Sequence, residues 1–366
     1  MQQRGRSFVK LALVYHQFIG TGGLERYLQA LARALQERGH QIEVITSRVD
    51  ETGRHAGASL RMIDVQGAPK WKRLRVFADK AAAVGTDADL VLGFGRTWRQ
   101  DAHRAGGGCH ALYSRLLPWW KRWSRKNRLE LRLERQLYTG GTTRHFVVNA
   151  APVAAQLQRL YGVPAEKITV IHTAVDAAHF HPSPAGGPPP QRERPVLLFV
   201  SSNHRRKGLD ALLRALKSVP GAELWIAGAC LGWRHRLAAK VLAPQITLRE
   251  LGEVADLAPI YRQADWFVHP TLYDACANTV LQSMASGLPG LISSADGASE
   301  FIRDGENGLL LREPSDSHHL AERLAEAFAL PEARRQAFSA NARATVLPLT
   351  WQAHVEKWEA LFQRLK

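Results

Sequence analysis

Two adjacent basic residues, Arg206 and Lys207, stand where a strand would present them to a ligand. They follow the apolar run 196–200, which is typical of a buried strand, and they precede Gly208, where a helix would start. Two cations at the top of a sheet suit a diphosphate, whose negative charge rises when it departs as a leaving group. A solvated basic turn is the simpler interpretation of the same residues.

A second stretch, 269–289, combines an acidic residue, a helix start and an amide. Asp274 precedes a helix that should begin near Asn278, and Gln282 lies about one turn inside that helix. The first N–H groups of a helix have no intrahelical acceptor, so they are available to a phosphate or a sugar. Asp274 and Gln282 can therefore face one ligand.

Glycines follow the first apolar run of the chain. Gly22 and Gly23 lie in the turn between the run 10–15 and a helix predicted over 24–38. Such glycines let backbone N–H groups approach an anion at a helix N-terminus, although their spacing does not match the dinucleotide-binding fingerprint. A tight turn that needs positive φ explains them equally well.

The elements that must position these residues alternate between apolar runs and helical patterns. The predicted strands are 10–15, 42–46, 60–65, 90–94, 146–148, 168–171, 196–200, 224–227, 246–248, 266–268 and 291–292. Strands alternating with helices predict α/β domains with parallel sheets. The Pro- and Gly-rich segment 182–190 predicts a linker. We therefore expect two doubly wound, Rossmann-like domains that face each other across a cleft, with ligands beyond the carboxyl ends of the strands.

The predicted bounds are 1–181 for the first domain, 182–194 for the linker and 195–349 for the second domain. Residues 350–366 form an amphipathic pattern and predict a C-terminal helix that packs back on the first domain. A chain of 366 residues is long enough for two cores.

Composition narrows the partners and the compartment. The net charge of +16 indicates an anionic partner, which nucleic acid, phospholipid head groups and a phosphorylated substrate all satisfy. Three cysteines, far apart and without Cys-x-x-Cys spacing, exclude a disulfide framework and indicate a reducing compartment. No stretch predicts a transmembrane helix or a signal peptide, so we expect a cytosolic protein or one attached to a membrane from the cytosolic side.

The segment 104–135 interleaves aromatic and basic residues. The candidate membrane contacts in this segment are Tyr113, Leu116, Leu117, Trp119, Trp120, Lys121, Arg122 and Trp123. Trp and Tyr favour the head-group region, and each Lys or Arg near an anionic leaflet adds about 1 kcal/mol. The segment predicts an interfacial membrane anchor. An interdomain or core helix with a cationic face, and a site for single-stranded nucleic acid, are the alternatives.

The stretch 269–289 resembles the retaining nucleotide-sugar glycosyltransferases of the GT-B fold, family 4. That family has a strand ending in His-Pro, an acidic residue, seven intervening residues and a Glu, then an Ala-x-Gly-x-Pro turn. Further agreement extends over nearly the whole chain, at Gly22-Gly23, Gly39-His40, 161–163 with 168–171, Arg206-Lys207-Gly208 and Gly305-x-x-Gly308. Gly93-Phe94 and Asp101, followed by the basic-aromatic segment, are similar to the heptose-directed lipopolysaccharide core glucosyltransferase I subgroup.

The resemblance implies a role for each matching position. Arg206 and Lys207 would bind the diphosphate of the donor, and Asp274 would contact hydroxyls of the donor sugar. The first domain would bind the acceptor and the second domain the nucleotide sugar. The remaining implied donor contacts are helix-start N–H groups and a loop that closes over the phosphates, from Ala277, Asn278, Thr279, Gly22 and Gly23.

Asp101 is the best side-chain candidate to orient the acceptor, from the interdomain edge of the first domain. A helix cap or a surface salt bridge explains Asp101 about as well, and His110 is a weaker candidate.

Gln282 departs from the family because it stands where a Glu normally binds the ribose hydroxyls. An altered donor preference, a weakened enzyme and a degenerate relative compete as explanations. We favour the first, because the phosphate-binding pair and the glycine loops are intact.

The resulting hypothesis is a hexosyltransferase that moves glucose, or another hexose, from a UDP-sugar to an inner-core heptose of lipopolysaccharide or a similar anionic glycolipid. Two cations and helix N-termini would stabilise the departing diphosphate, and no Asp-x-Asp motif is present, so neither metal nor other cofactor is expected. The expected location is peripheral, on the cytosolic face of the inner membrane, with no nucleic-acid partner. The alternative is a non-catalytic binding protein for anionic membrane or nucleic acid on a degenerate scaffold, with Gln282 as its best support.

Overall fold

A computed structural model describes residues 8–183 and 192–366, which divide into two compact units. The first unit runs to His172 and includes Trp351–Lys366, and the second is Thr173–Thr350. Residues 173–181, which the sequence analysis places in the first domain, thus cluster with the second unit. There the Val175 N–H donates to a carbonyl at 349. Of the predicted linker, residues 184–191 lie outside the described residues.

The first unit contains a sheet of seven parallel strands in the order β3-β2-β1-β4-β5-β6-β7. Alternate residues of its first strand enter two different core clusters, so both faces of the sheet are covered. The elements are β1 (Lys10–Val14), α1 (Gly23–Glu37), β2 (Gln41–Thr46), α2 (Glu51–Arg54), β3 (Ser59–Met62), α3 (Arg73–Ala83), β4 (Leu90–Gly93), β5 (Gln100–Arg104), α4 (His110–Arg115), α5 (Trp119–Arg122), α6 (Arg125–Thr139), β6 (Thr143–Val148), α7 (Ala151–Tyr161) and β7 (Ile168–Val170).

The second unit contains a sheet of six parallel strands in the order β10-β9-β8-β11-β12-β13. Its core includes the fully buried Phe199, Trp266 and Phe338. The elements are β8 (Val196–Ser201), α8 (Leu209–Ala215), β9 (Glu223–Gly228), α9 (Trp233–Leu242), β10 (Thr247–Gly252), α10 (Ala258–Tyr261), β11 (Trp266–His269), α11 (Asn278–Ala285), β12 (Gly290–Ser293), β13 (Leu309–Leu311), α12 (Ser317–Ala329) and α13 (Glu332–Val346).

The predicted class, α/β with two Rossmann-like parallel sheets, is confirmed. The last helix, α14 (Trp351–Leu365), buries Trp358 and Phe362 in the core of the first unit, against α1. Within the described part of the chain, none of the helices combines the length and the apolar character that a membrane crossing requires.

The strand β5 is absent from the prediction because its sequence, Gln-Asp-Ala-His-Arg, carries no apolar run. Its polar residues Gln100, His103 and Arg104 are nevertheless buried, and Gln100 shows how the sheet tolerates them. The Gln100 amide donates to the Thr97 carbonyl at 3.0 Å and accepts from the Thr97 hydroxyl at 2.6 Å. A buried strand made mostly of polar residues cannot be detected from a pattern of hydrophobicity.

His354 of α14 makes the stability of the first unit sensitive to acid. Its Nδ1 lies 2.7 Å from the His172 carbonyl oxygen, which can only accept, so Nδ1 carries the proton. Its Nε2 faces the Tyr27 hydroxyl at 2.8 Å and the Trp358 indole N–H at 3.2 Å. Burial, reinforced by the charge of Arg104, lowers the pKa of His354 from 6.5 to about 3. Protonation would place a new N–H against the indole N–H donor.

We therefore expect the free energy of unfolding to fall as the pH drops through 6.5, because His354 then binds a proton in the unfolded chain but not in the folded one. The loss from this group between pH 7.5 and 5 is about 2 kcal/mol. Urea denaturation at both pH values would measure it. His354→Gln keeps a donor and an acceptor without titrating, so it should lower the pH dependence by that amount. An unchanged dependence would contradict the assignment.

Candidate functional site

Three loops meet at the carboxyl edge of the second sheet, because β8, β11 and β12 are neighbours there. Lys207 follows β8, Asp274 follows β11 and Asp296 follows β12. The loops after β11 and β12 are also joined through their backbones. The Asp274 N–H donates to the Ala295 carbonyl, and the Gly297 N–H donates to the Asp274 carbonyl. The sheet order therefore brings together residues that lie far apart in the sequence.

Arg206 and Lys207 converge on a single carboxylate oxygen. Arg206 donates to Asp274 Oδ2 at 2.7 Å and also to the Tyr273 carbonyl at 2.9 Å. Lys207 Nζ donates to the same Oδ2 at 2.6 Å. Burial by itself raises the pKa of Asp274, but the charges of Lys207 and Arg206 outweigh it and hold that pKa well below its usual range. Asp274 is therefore ionised and paired with both cations.

Gly208 allows this loop to lie against the loop after β11. Its φ is +83°, and a Cβ placed on it would come within 2.0 Å of the Pro270 carbonyl oxygen. Any side chain there would be strained and would push the two loops apart. The glycine after Arg206-Lys207 is thus a steric requirement of the site.

His269 and Asp296 form a fully buried pair beneath the two cations. Neither residue of this pair has a role in the sequence analysis. His269 Nε2 lies 2.8 Å from Asp296 Oδ2 and 3.3 Å from Lys207 Nζ. Asp296 Oδ1 accepts from the backbone N–H groups of Ala277 and Ala298 at 3.1 and 2.8 Å. Burial, then the charge of Lys207, lowers the pKa of His269, so this ring is neutral. Asp296 thereby connects Ala277, which precedes α11, to His269. The only sequence signal for Asp296 is its place after a strand, like that of Asp274.

The predicted helix start is where the sequence analysis places it. Ala277 is the N-cap of α11, and Asn278 and Thr279 are its first two residues. The Thr279 hydroxyl oxygen is buried and has no hydrogen-bond partner within the described residues. Gln282 lies one turn further along α11, with its Oε1 3.4 Å from the hydroxyl of the buried Tyr261. Helix-start amides and a buried hydroxyl are suitable donors for a phosphate or a sugar.

His269, Asp274 and Asp296 also meet the geometric requirement for a metal site, since one ligand atom from each lies within 4.8 Å of the others. The positive charge of Lys207 already lies among them, 2.6 Å from Asp274 and 3.3 Å from His269. An ammonium group of the chain itself therefore already supplies positive charge among these donor atoms. Independence from metal ions stays a prediction.

The glycine turn of the first unit follows β1. Gly22 is the N-cap of α1 and has φ of +96°, which a residue with a Cβ rarely adopts. Gly23 is the first residue of the helix. A carboxylate lies beside this turn, because a Cβ on Gly22 would come within 2.2 Å of Glu25 Oε2. The positive φ fits the tight-turn interpretation, and the predicted closure over phosphates stays a prediction.

The structure corrects the predicted placement of Asp101. This residue lies near the amino end of β5, opposite Val91 near the start of β4, and not at the carboxyl edge where ligands bind. Its carboxylate accepts from the Val91 N–H at 2.9 Å and pairs with Arg144 at 3.1 Å. Asp101 therefore has the structural role that was the alternative. His110 is buried, with Nε2 2.8 Å from Asn127 Oδ1, which is likewise a structural contact.

The basic-aromatic segment contributes to three helices: α4 and α5, which have six and four residues, and α6, which has fifteen. The side chains of α5 and its C-cap point outward: Trp119, Trp120 and Trp123 are 73%, 59% and 70% exposed. Lys121 and Arg122 are exposed beside them, whereas Tyr113, Leu116 and Leu117 are half-buried. This exposed set of three tryptophans and two cations, the Trp119–Trp123 patch, argues against the core-helix alternative.

Two family models match the chain in succession. The model described as Glycosyltransferase Family 4 matches residues 21–179, and the model described as Glycosyl transferases group 1 matches residues 194–329. Together they cover most of the chain and reach into both units.

Two relatives, one matched along nearly the whole chain and one along about a third of it, are glycosyltransferases by name. The chain is 22% identical over 348 residues to the lipopolysaccharide glucosyltransferase WaaG of Escherichia coli (strain K12), covering 91% of this chain and 93% of that protein. It is 32% identical over 123 residues to the lipopolysaccharide core biosynthesis glycosyltransferase LpsE of Rhizobium meliloti (strain 1021), covering 32% and 35% of the two chains.

Solved structures share the fold. The crystal structure of WaaG has a TM-score of 0.80 at 22% identity, covering 96% of this chain and 99% of that chain. Anabaena HepE in complex with UDP-glucose has a TM-score of 0.73 at 17% identity, covering 96% and 100%. The same fold therefore extends over almost the whole chain.

Proposed function

The chain is a glycosyltransferase of family 4 with the GT-B fold, and we propose that it transfers a hexose, with glucose the first candidate, from a UDP-sugar to an anionic glycolipid. The acceptor we propose is an inner-core heptose of lipopolysaccharide or a similar sugar. The observation that carries the proposal is the convergence of Arg206 and Lys207 beside the start of α11. The names of WaaG and LpsE support the acceptor class, and the UDP-glucose bound to HepE supports the donor.

In this proposal the second unit stabilises the leaving group. Arg206 and Lys207 bind the diphosphate, and the helix-start amides of Asn278 and Thr279 bind phosphate or sugar oxygens. Charge accumulates on the phosphate oxygen as the bond to the sugar breaks, so these fixed groups bind the transition state more strongly than the ground state. No metal ion is needed for this stabilisation.

We propose that the reaction retains the anomeric configuration. The bond between the sugar C1 and the β-phosphate oxygen breaks, and its electron pair remains on UDP. The acceptor hydroxyl forms the new C1–O bond on the same face of an oxocarbenium-like sugar, and its proton passes to the departing phosphate oxygen. This route requires no side-chain base, in agreement with the structural contacts of Asp101.

If the acceptor is linked to a lipid, the Trp119–Trp123 patch is suited to bind the membrane that carries it. Exposed tryptophans next to Lys121 and Arg122 suit the head-group region of an anionic leaflet. We propose that this patch holds the enzyme at the cytosolic face of the inner membrane, where such acceptors are presented.

A donor panel tests the function directly. The purified protein would be incubated with UDP-glucose, UDP-galactose, ADP-glucose or GDP-mannose, with and without a heptose-containing core acceptor, and with chelator in parallel. We expect acceptor-dependent release of UDP from one UDP-sugar, unaffected by chelator, and NMR of the product should show a retained anomeric configuration. Silence across the panel without nucleotide binding would instead support the non-catalytic alternative.

A further inference from the structure

The cations that would hold the donor are already neutralised. Arg206 and Lys207 both donate to Asp274 Oδ2, and the Lys207 ammonium also lies near the His269–Asp296 pair. With His269 neutral, the two positive charges of Arg206 and Lys207 balance the two negative charges of Asp274 and Asp296. A diphosphate therefore meets a site without net positive charge, although the local sequence reads as strongly basic.

Burial makes this pairing strong. The side chains of Lys207, Asp274 and Arg206 are only 9%, 17% and 23% exposed. Water screens such a pair weakly. A buried cation that separates from its carboxylate is costly unless another anion takes the place of that carboxylate. Lys207 cannot turn to solvent to release Asp274, so the exchange has to be driven by an incoming anion.

We propose that Asp274 is the counter-ion that the donor diphosphate displaces, so that this carboxylate sets the affinity of the site for phosphates. The inference rests on the proposed function, because the anion in question is the diphosphate of the donor. Phosphate oxygens replace Asp274 Oδ2 as acceptors for Arg206 and Lys207. The competition lowers the affinity for free UDP and thereby favours product release.

Displacement also frees Asp274 for a second task. Its Oδ2 is engaged by both cations, while Oδ1 accepts from the Ala275 N–H at 2.9 Å. Once the phosphates take over the cations, Oδ2 is available to accept from a sugar hydroxyl. Sugar recognition then follows phosphate binding, which couples the two halves of the donor.

Calorimetric titration with UDP and with inorganic pyrophosphate tests the exchange. Asp274→Asn removes the charge at constant volume and should bind UDP about tenfold more tightly than the wild type, a difference of about 1.4 kcal/mol. Its hexose transfer should nevertheless fall, because the ionised acceptor for the sugar hydroxyl is lost. A gain in product affinity together with a loss of turnover is not the signature of a merely damaged site.

Two matched variants isolate the charge of Asp274. Asp274→Glu keeps a carboxylate and should bind UDP within about twofold of the wild type. Glu313→Gln removes one exposed negative charge from the same unit and should change nothing. Equal or weaker UDP binding by Asp274→Asn would overturn the inference while leaving the proposed function intact. A wild type that binds pyrophosphate but not UDP would refute the proposed donor alone, and one that binds neither would refute both.

Discussion

Replacing Lys207 with methionine is expected to lower hexose transfer about a thousandfold, the upper end for the loss of one preorganised charge-stabilising group. Methionine keeps most of the apolar stem and removes the ammonium that would face the leaving diphosphate. The same change leaves Asp274 and the His269–Asp296 pair without their nearest cation. Turnover of the UDP-sugar with saturating acceptor measures the effect.

Arg205→Ala is the matched control, because Arg205 is exposed and immediately precedes the site in the same loop. Its transfer rate should stay within about twofold of the wild type. Thermal unfolding of Lys207→Met must remain cooperative, so that lost activity is not lost structure. Transfer by Lys207→Met within tenfold of the wild type would refute the phosphate assignment.

Replacing Trp119, Trp120 and Trp123 together with serine is expected to release the protein from anionic vesicles. Burial of about 50 Å² of each ring at about 25 cal/mol per Å² amounts to about 4 kcal/mol, or several hundredfold in partitioning. The fold should be unaffected, because all three side chains are more than half exposed. Co-sedimentation with vesicles of phosphatidylethanolamine and phosphatidylglycerol measures the change.

Trp233→Ser provides the control for a general loss of exposed tryptophan, since Trp233 is 68% exposed on α9 of the second unit. This variant should sediment with vesicles as the wild type does. If the triple variant also co-sediments unchanged, the membrane role of the patch is wrong. Loss of binding to single-stranded nucleic acid, with vesicle binding intact, would favour the nucleic-acid alternative instead.

The family, the fold and the enzyme class were accessible from the sequence alone, and the comparisons confirm them. These properties depend on local patterns. Apolar runs alternating with helical stretches encode a parallel sheet, and the block from His269 to Pro289 keeps its spacing because it is one strand, one loop and one helix. The start of α11 could be located for the same reason.

The composition of the sequence also indicates the basic-aromatic segment, although it does not predict the division of that segment into three helices. The helix α4 ends at Arg115, Pro118 is the N-cap of α5, and Ser124 caps α6 by accepting from the Asn127 N–H. These breaks leave the tryptophans on a short exposed helix. Function at a membrane remains a proposal that the exposure supports.

Only the tertiary structure decided which charges meet. In the sequence Arg206 and Lys207 have no evident partner, yet Asp274, almost seventy positions later, pairs with both of them. The sequence does not single out Asp296, and Asp101, predicted at the interdomain edge of the first domain, lies near the amino end of β5. The physical reason is the strand order: β8 pairs with β11 and β11 with β12, so loops remote in sequence share one edge, and electrostatic pairing depends on distance in space and not along the chain.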